Sequence, residues 1–407
     1  MTRAKPVMQL DWQAKYAQRM ERVKPSAIME LIKLAAQPGV ISFASGLPDP
    51  SLFPATVLRE MTAELLAEQG DTVLQYGTTE GLLPLRELIA ERLSAQGFQA
   101  GPENILITHG SQQGIELAAR LLLNPGDVVL LENPSYLAAI QAFDSCQAGY
   151  LAVPLDAEGM EVDRLPSLLS SCTPKLIYTL PNFQNPTGIT LTQERRQRLL
   201  HYALERGIPI LEDNAYGDLR YEGEALPSLA ALEGGNEAVI STGTFSKTIA
   251  PGIRVAWVYA PARVIEKLAL VKQVSDLHTN TFAQHLVYRY CASGRLDPQI
   301  ARLRQAYRAK RDQMLQALAT HMPDGVTWTR PEGGMFLMLS LPEEMDAETV
   351  LRVALEKKVA FVPGQPFFPQ GGGRNTLRLN FVSPRLDEIA EGVKRLAAAI
   401  QEAGQAL

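Results

Sequence analysis

Six short apolar runs, at 104–108, 128–132, 175–179, 208–212, 238–242 and 254–259, alternate with helical or mixed segments such as 136–143, 161–171 and 191–206. Runs this short and this continuously apolar suit strands buried on both faces rather than helices. Their alternation with helices predicts an α/β fold in three layers, a mostly parallel sheet with helices on either side. The expected exception is 254–259, which follows 238–242 too closely for a crossover helix and is predicted to run antiparallel.

The flanks read differently. Residues 11–37 carry a helical pattern with a break near Pro25, and the Gly- and Pro-rich stretch from Gly39 to Pro54 reads as an extended loop. Helical patterns follow at 55–69 and 82–95, and another helix starts near Ser111. Beyond the sheet, a long helix over 262–292 and another over 297–320 lead to strands at 333–341, 360–363 and 376–381 with helices at 346–357 and 385–403, a smaller α+β domain. Gly371–Gly373 reads as a surface turn. The expected division is 1–45, a helical segment of the small domain that lids the substrate site; 46–290, the large domain; and 291–407, the small C-terminal domain. A chain of 407 residues, 46% of them hydrophobic, is long enough for two such cores.

Composition narrows the partners. The formal net charge is −5 and no Lys/Arg stripe stands out, so no nucleic-acid surface is expected. No stretch reaches the length of apolar sequence that spans a membrane. The segment Met1–Trp12 lacks a compact apolar core with a cleavage site, so no secretory leader is expected. Cys146, Cys172 and Cys291 form no Cys-x-x-Cys pair and are read as free thiols in a reducing, cytoplasmic setting. His109, His201, His278, His285 and His321 show no metal-ligand spacing, and no metal is expected.

Polar clusters follow the predicted strand ends: Gly110–Gln113, Asn133–Tyr136, Pro181–Gly188, Asp213–Tyr216 and Thr244–Lys247. Ligands of open α/β sheets bind beyond the carboxyl ends of strands, so these clusters point to one site. Lys247 sits among small hydroxyl and glycine residues, with Arg254 seven positions later. That setting suits an amine that reacts with an aldehyde beside a bound phosphate, with Ser246, Thr244 and Arg254 as phosphate ligands. Asp213, at a strand end, can pair with a protonated ring nitrogen, and Tyr216 and Asn185 can reach a ring oxygen. Ser111 and Gln112 open a helix whose free N–H groups favour phosphate, although Ser111 also suits a plain N-cap. Tyr136 can stack on a ring. Arg378 stands among apolar neighbours in an alternating strand, where burial demands an anion such as a substrate carboxylate or an internal salt bridge. Together these residues point to pyridoxal phosphate chemistry.

The segments Ile41–Pro50, Gln75–Gly81, Leu180–Gly188, Ser246-Lys247 and Pro251–Arg254 resemble, in order and spacing, the fold-type I pyridoxal-phosphate class I/II aminotransferases. The resemblance covers nearly the whole chain and is strongest to the branch of bacterial 2-aminoadipate and mammalian kynurenine/aminoadipate aminotransferases. It implies that Lys247 bonds the cofactor aldehyde, Asp213 pairs with the ring nitrogen, and Tyr216 and Asn185 contact the ring oxygen. Ser111, Gln112, Thr244, Ser246 and Arg254 would bind phosphate and Tyr136 would stack. Arg378 with Asn185 would hold the substrate carboxylate, with Gly46 nearby. Tyr76 would reach the neighbouring subunit's phosphate, which implies a homodimer with shared active sites. The substrates implied are amino acids and 2-oxo acids. Decarboxylases, lyases and racemases use the same scaffold, so fold alone does not select the reaction. The cofactor-sensing domain of a transcription regulator is a further use of it, one that calls for a DNA-binding domain ahead of residue 40.

One departure bears on the donor. In the bacterial 2-aminoadipate enzyme, a serine of the N-terminal helix is followed three positions later by an arginine that receives the acidic side chain. Here Ser26 is present but the later position is Met29. A thioether packs against aliphatic or aromatic side chains and cannot pair with a carboxylate. Neutral aliphatic or aromatic donors are therefore expected, with 2-oxoglutarate as acceptor. Lys24, Arg22 or Arg19 as a replacement cation keeps 2-aminoadipate as the alternative.

Overall fold

A computed structural model describes residues 10–23 and 38–405. Its large sheet holds eight strands: β1 (Ile105–Thr108), β2 (Val128–Asn133), β3 (Gly149–Asp156), β4 (Gly159–Met160), β5 (Leu176–Thr179), β6 (Ile210–Asp213), β7 (Val239–Thr244) and β8 (Ala256–Tyr259). They lie in the order β1-β8-β7-β6-β5-β2-β3-β4. From β7 through β6, β5 and β2 to β3 every pair is parallel. β8 runs antiparallel to both β7 and β1, as its short connection requires.

The period-two alternation of strand side chains divides two cores across this sheet. Ile105, Ile107, Leu130, Ile177, Ile210 and Val239 pack with the helices Ala55–Val73, Leu83–Ser94, Gln193–Arg206 and Thr281–Ala292. Their neighbours Leu106, Val129, Leu131, Leu176, Leu211 and Ile240 face the helices Ser111–Leu122, Leu137–Ser145 and Ala262–Asp276 on the other side. At about 25 cal/mol per Å² of buried apolar surface, this double coverage is what holds a mostly parallel sheet together.

A third core belongs to the smaller α+β unit. There β9 (Thr327–Trp328), β10 (Phe336–Ser340), β11 (Val362–Pro363) and β12 (Thr376–Asn380) form an antiparallel sheet in the order β9-β10-β12-β11. The helices Leu296–His321, Ala347–Glu356 and Leu386–Gln405 pack on it. Ile41–Ser42 pairs with Val359–Ala360, and Phe43 is bonded through its N–H to Ala360 and through its carbonyl to the Asn380 N–H, both at 2.8 Å. This ties the 43–49 loop against β12. Gly371, Gly372 and Gly373, all at positive φ, form the expected turn.

Three expectations need correction. The strand β3 went unpredicted because Pro154 interrupts it and one flank of it is half exposed, which hides the apolar signal. The helix expected over 262–292 is two helices, Ala262–Asp276 and Thr281–Ala292, parted at Leu277 (φ 67°) and restarted by Asn280, whose side chain accepts from the Ala283 N–H at 2.8 Å. Residues 13–15 and 18–21 are separate 3₁₀ turns rather than one helix. All of 10–23 is exposed, and a short helix without a packed face is not stable in water. The rest of that expected helix, 24–37, lies outside the described residues.

Candidate active site

The loops that leave β2, β5, β6 and β7 meet β12 and the 43–49 loop at one place. Asp213 ends β6 and is fully buried. Its Oδ1 accepts from the Thr242 hydroxyl and its Oδ2 from the Tyr178 hydroxyl, each at 3.0 Å. Burial pushes the carboxyl up to about 6, while those two donors and Lys247 pull it down. Lys247 lies in the turn after β7. Burial draws its ammonium down to about 8, Arg254 and Arg378 add to the shift, and Asp213 opposes it.

Arg378 is buried in β12, where its neighbours Leu377 and Leu379 point into the small-domain core. Its Nη1 donates to Asn185 Oδ1 at 3.0 Å and its Nη2 to the Ala44 carbonyl at 3.2 Å. The guanidinium lies 4.3 Å over the Phe336 ring and 5.2 Å from that of Phe367. Burial lowers it to about 10, no carboxylate faces it among the described residues, and its buried Nε has no partner. A cation kept so is a seat for an anion.

A second anion seat lies at the start of the helix Ser111–Leu122. Gly110 takes the N-cap position at φ 78° and no side chain caps the helix, a helix start of the kind that favours an anion. Ser111 is therefore the first helical residue, not the cap. Arg254, in the left-handed region at φ 56°, brings its guanidinium over Gly110 and donates through Nη2 to the His109 carbonyl at 3.1 Å. A Cβ on residue 110 would fall 2.3 Å from that Nη2, so only glycine leaves the cradle open. Thr244, which ends β7, and Ser246 are buried, the Ser246 N–H donating to Thr244 Oγ1 at 3.1 Å. Gln112 donates to the Ala138 carbonyl at 2.9 Å and keeps a buried, unpaired Oε1.

The aromatic residues close the site. Half-buried Tyr136 interacts electrostatically with Asp213, Arg378 and Arg254, and burial pushes its phenol up to about 12. Buried Tyr216 sets its ring edge-on to Phe336 at 5.9 Å, and its hydroxyl bonds Asn185. Gly46 is half-buried, and a Cβ there would meet nothing within 4 Å, so it borders open space beside Ala44. Tyr76 is not part of this convergence. It is 77% exposed, with its ring centroid 5.5 Å from that of His278 in an edge-to-face arrangement. Ser26 and Met29 lie outside the described residues.

Sequence reasoning missed Tyr178 and Thr242, the two donors that let Asp213 stay ionised in the core. Their signal was a hydroxyl on a fully buried strand. The buried Glu132 at the end of β2 was missed as well. Among the described residues no group of three or more His, Cys, Asp or Glu is placed to hold a metal ion, and no helix is long and apolar enough to cross a membrane.

The profile of the family described as aminotransferase class I and II matches residues 38–396. The chain belongs to the class I and II aminotransferases. This aminotransferase is 45% identical over 395 residues to the 2-aminoadipate transaminase of Thermus thermophilus, covering 96% of its own length and 98% of the relative's. It is 43% identical over 399 residues to aromatic-amino-acid aminotransferase 1 of Thermococcus litoralis, covering 97% and 95%. Its fold superposes with a TM-score of 0.92 and 42% identity on the crystal structure of an α-aminoadipate aminotransferase of Thermus thermophilus complexed with N-(5′-phosphopyridoxyl)-L-leucine, covering 98% of this chain and all of that one.

Aminotransferases of this fold generally use pyridoxal phosphate. The residues present fit that group: an open anion cradle lies at Gly110 under Arg254, and a deprotonatable lysine is in electrostatic contact with both Arg254 and the buried Asp213 carboxyl.

Proposed function

We propose that this transaminase holds pyridoxal 5′-phosphate at the site described. It would carry the α-amino group from a broad range of neutral aliphatic or aromatic L-amino acids to 2-oxoglutarate. The observation that carries the reading is the meeting of Lys247, Asp213 and Arg378: an amine, a ring-nitrogen partner and a carboxylate seat in electrostatic contact.

The bound cofactor supplies an aldehyde and a conjugated ring that withdraws electrons. The helix N–H groups at Ser111, with Gln112, Thr244, Ser246 and Arg254, would bind its phosphate. Asp213, kept ionised by Tyr178 and Thr242, would hold the ring nitrogen protonated, while Tyr216 and Asn185 contact the ring oxygen and Tyr136 stacks. Arg378, steadied by Asn185, would grip the α-carboxylate of donor and acceptor alike. Lys247 would take the α-proton of the donor and give it back on the other side of the transfer, which its depressed basicity favours near neutral pH. The first 2-oxo acid would leave before the second enters, a ping-pong order. Tyr76 would complete the phosphate site of a second copy, making a homodimer.

For the donor, Met29 supports neutral side chains. A second reading, 2-aminoadipate as donor, is favoured by the 45% identical relative and needs another cation in place of the arginine that Met29 replaces. Of the three candidates, Arg22 already donates to the Ala148 carbonyl at 2.9 Å beside the helix Leu137–Ser145. The test is 2-oxoglutarate-dependent turnover of purified holoenzyme with leucine, phenylalanine, kynurenine and 2-aminoadipate. A kcat/KM at least about tenfold higher for neutral donors is expected, the size of one buried apolar contact. Preference for 2-aminoadipate would establish the second reading.

A further inference from the structure

Glu132, at the end of β2, is a buried carboxylate with no cationic partner among the described residues. Such a group is costly to bury, so its bonds must account for it. Its Oε1 accepts from the Thr179 hydroxyl at 2.5 Å and the Leu180 N–H at 3.1 Å, and its Oε2 accepts from Gln184 Nε2 at 3.2 Å. Gln184 Nε2 gives its other hydrogen to the Pro134 carbonyl at 2.8 Å. Gln184 Oε1 accepts from both the N–H and the hydroxyl of Thr187, at 3.0 and 2.7 Å. The Gln184 main chain closes the same turn, accepting from the Gly188 N–H at 2.5 Å and donating to the Ile189 carbonyl at 2.8 Å. The residue inside this turn is Asn185, whose Oδ1 receives Arg378 Nη1 at 3.0 Å and whose side chain also bonds Tyr216.

We propose that Glu132 is a positioning residue of the transaminase: by accepting three hydrogen bonds it orients Gln184, locks the 184–188 turn, and so fixes the Asn185 amide that aims Arg378 at the substrate carboxylate. The direction of every bond in this chain is set by the carboxylate. As a carboxylate Glu132 can only accept, so Gln184 turns its NH₂ toward it, which leaves Gln184 Oε1 for Thr187. A glutamine at 132 has the same shape but not the same polarity. Its NH₂ would face either the Leu180 N–H or Gln184 Nε2, and flipping Gln184 in response would turn its NH₂ onto the Thr187 N–H. No arrangement satisfies all the donors. Burial pushes the Glu132 carboxyl up to about 7 and nearby Asp213 adds to the rise, while the three donors oppose it and favour the ionised form.

The inference rests on Arg378 being the carboxylate seat, and the test separates the two. The probe is glutarate, which has the two carboxylates of 2-oxoglutarate and no oxo group to react, titrated calorimetrically into holoenzyme alongside a thermal melt. Glu132→Gln is expected to weaken glutarate roughly tenfold, the effect of one misplaced bond to a charged group, with cofactor content kept. Should Glu132→Gln fail to fold, Gln184→Met leaves the Thr179 and Leu180 bonds in place and must show the same tenfold loss. Unchanged glutarate binding in either single variant, or a loss of glutarate matched by an equal loss of cofactor, overturns the role of Glu132. Unmodified holoenzyme that binds glutarate no better than Arg378→Lys overturns the carboxylate seat instead.

Discussion

Burial and the guanidinium groups of Arg254 and Arg378 lower the Lys247 ammonium to about 8, and Asp213 only partly offsets them. The sign follows from the charge: below that value the amine is protonated and unreactive, and above it the neutral amine predominates. Capture of pyridoxal phosphate by cofactor-free protein should therefore quicken with pH up to about 8 and then level off, read from the growth of the cofactor's absorbance. A rate that keeps climbing to about pH 10, where an ordinary lysine titrates, would show that the amine is not depressed. Lys247→Ala should lose both the absorbance and turnover, the latter by at least about 10²–10⁴-fold, the usual worth of a positioned acid–base group. Lys247, Asp213 and Arg378 were legible in the sequence because each is a charge in an apolar or glycine-rich setting that only a ligand explains. Tyr178, Thr242 and Glu132 were not. Each lies in a buried strand, and what it does depends on which strand stands beside it, which periodicity does not state.

Strand order is where that missing information resides. The apolar runs of β1, β2 and β5–β8 were readable because each is buried on both faces, and β8's reversed direction was readable from the length of one connection. The strand β3, next to the edge, and the break at Leu277 were not, since the first is half exposed and the second depends on a single backbone angle. At the junction of β1 with the helix Ser111–Leu122, one glycine decides whether an element end becomes a site. Gly110→Ala would force alanine to φ 78°, costing about 1 kcal/mol or more, and would also push Cβ into Arg254. Gly371→Ala carries a similar backbone cost, at φ 84°, with nothing within 4 Å of the new methyl. Both variants should melt slightly earlier than the unmodified protein. Only Gly110→Ala should lose cofactor on dialysis, by about tenfold in affinity or more, as expected for a displaced bidentate cation. Equal retention in the two would mean that Arg254 does not hold the phosphate.

At the scale of the whole molecule, the three most exposed of the large apolar residues described lie on two segments that touch. Leu74 is 72% and Tyr76 77% exposed, Val274 on the helix Ala262–Asp276 is 78% exposed, and the contact of Tyr76 with His278 brings the two segments together. A patch of this kind suits contact with a second copy, and a two-fold axis would carry each Tyr76 toward the other subunit's site. If Tyr76 works across that axis, Tyr76→Ala and Lys247→Ala damage the same site from different chains. Each variant alone has two defective sites per dimer. In a mixed dimer, one site has the lysine of the Tyr76→Ala chain and the tyrosine of the Lys247→Ala chain, and is whole; the other carries both defects. Unfolding and refolding the two variants together in equal amounts should therefore restore about a quarter of the unmodified sites, half the dimers being mixed with one good site in each. Activity that stays at the sum of the two variants would place Tyr76 in its own chain's site or outside any site, and the patch would then need another partner.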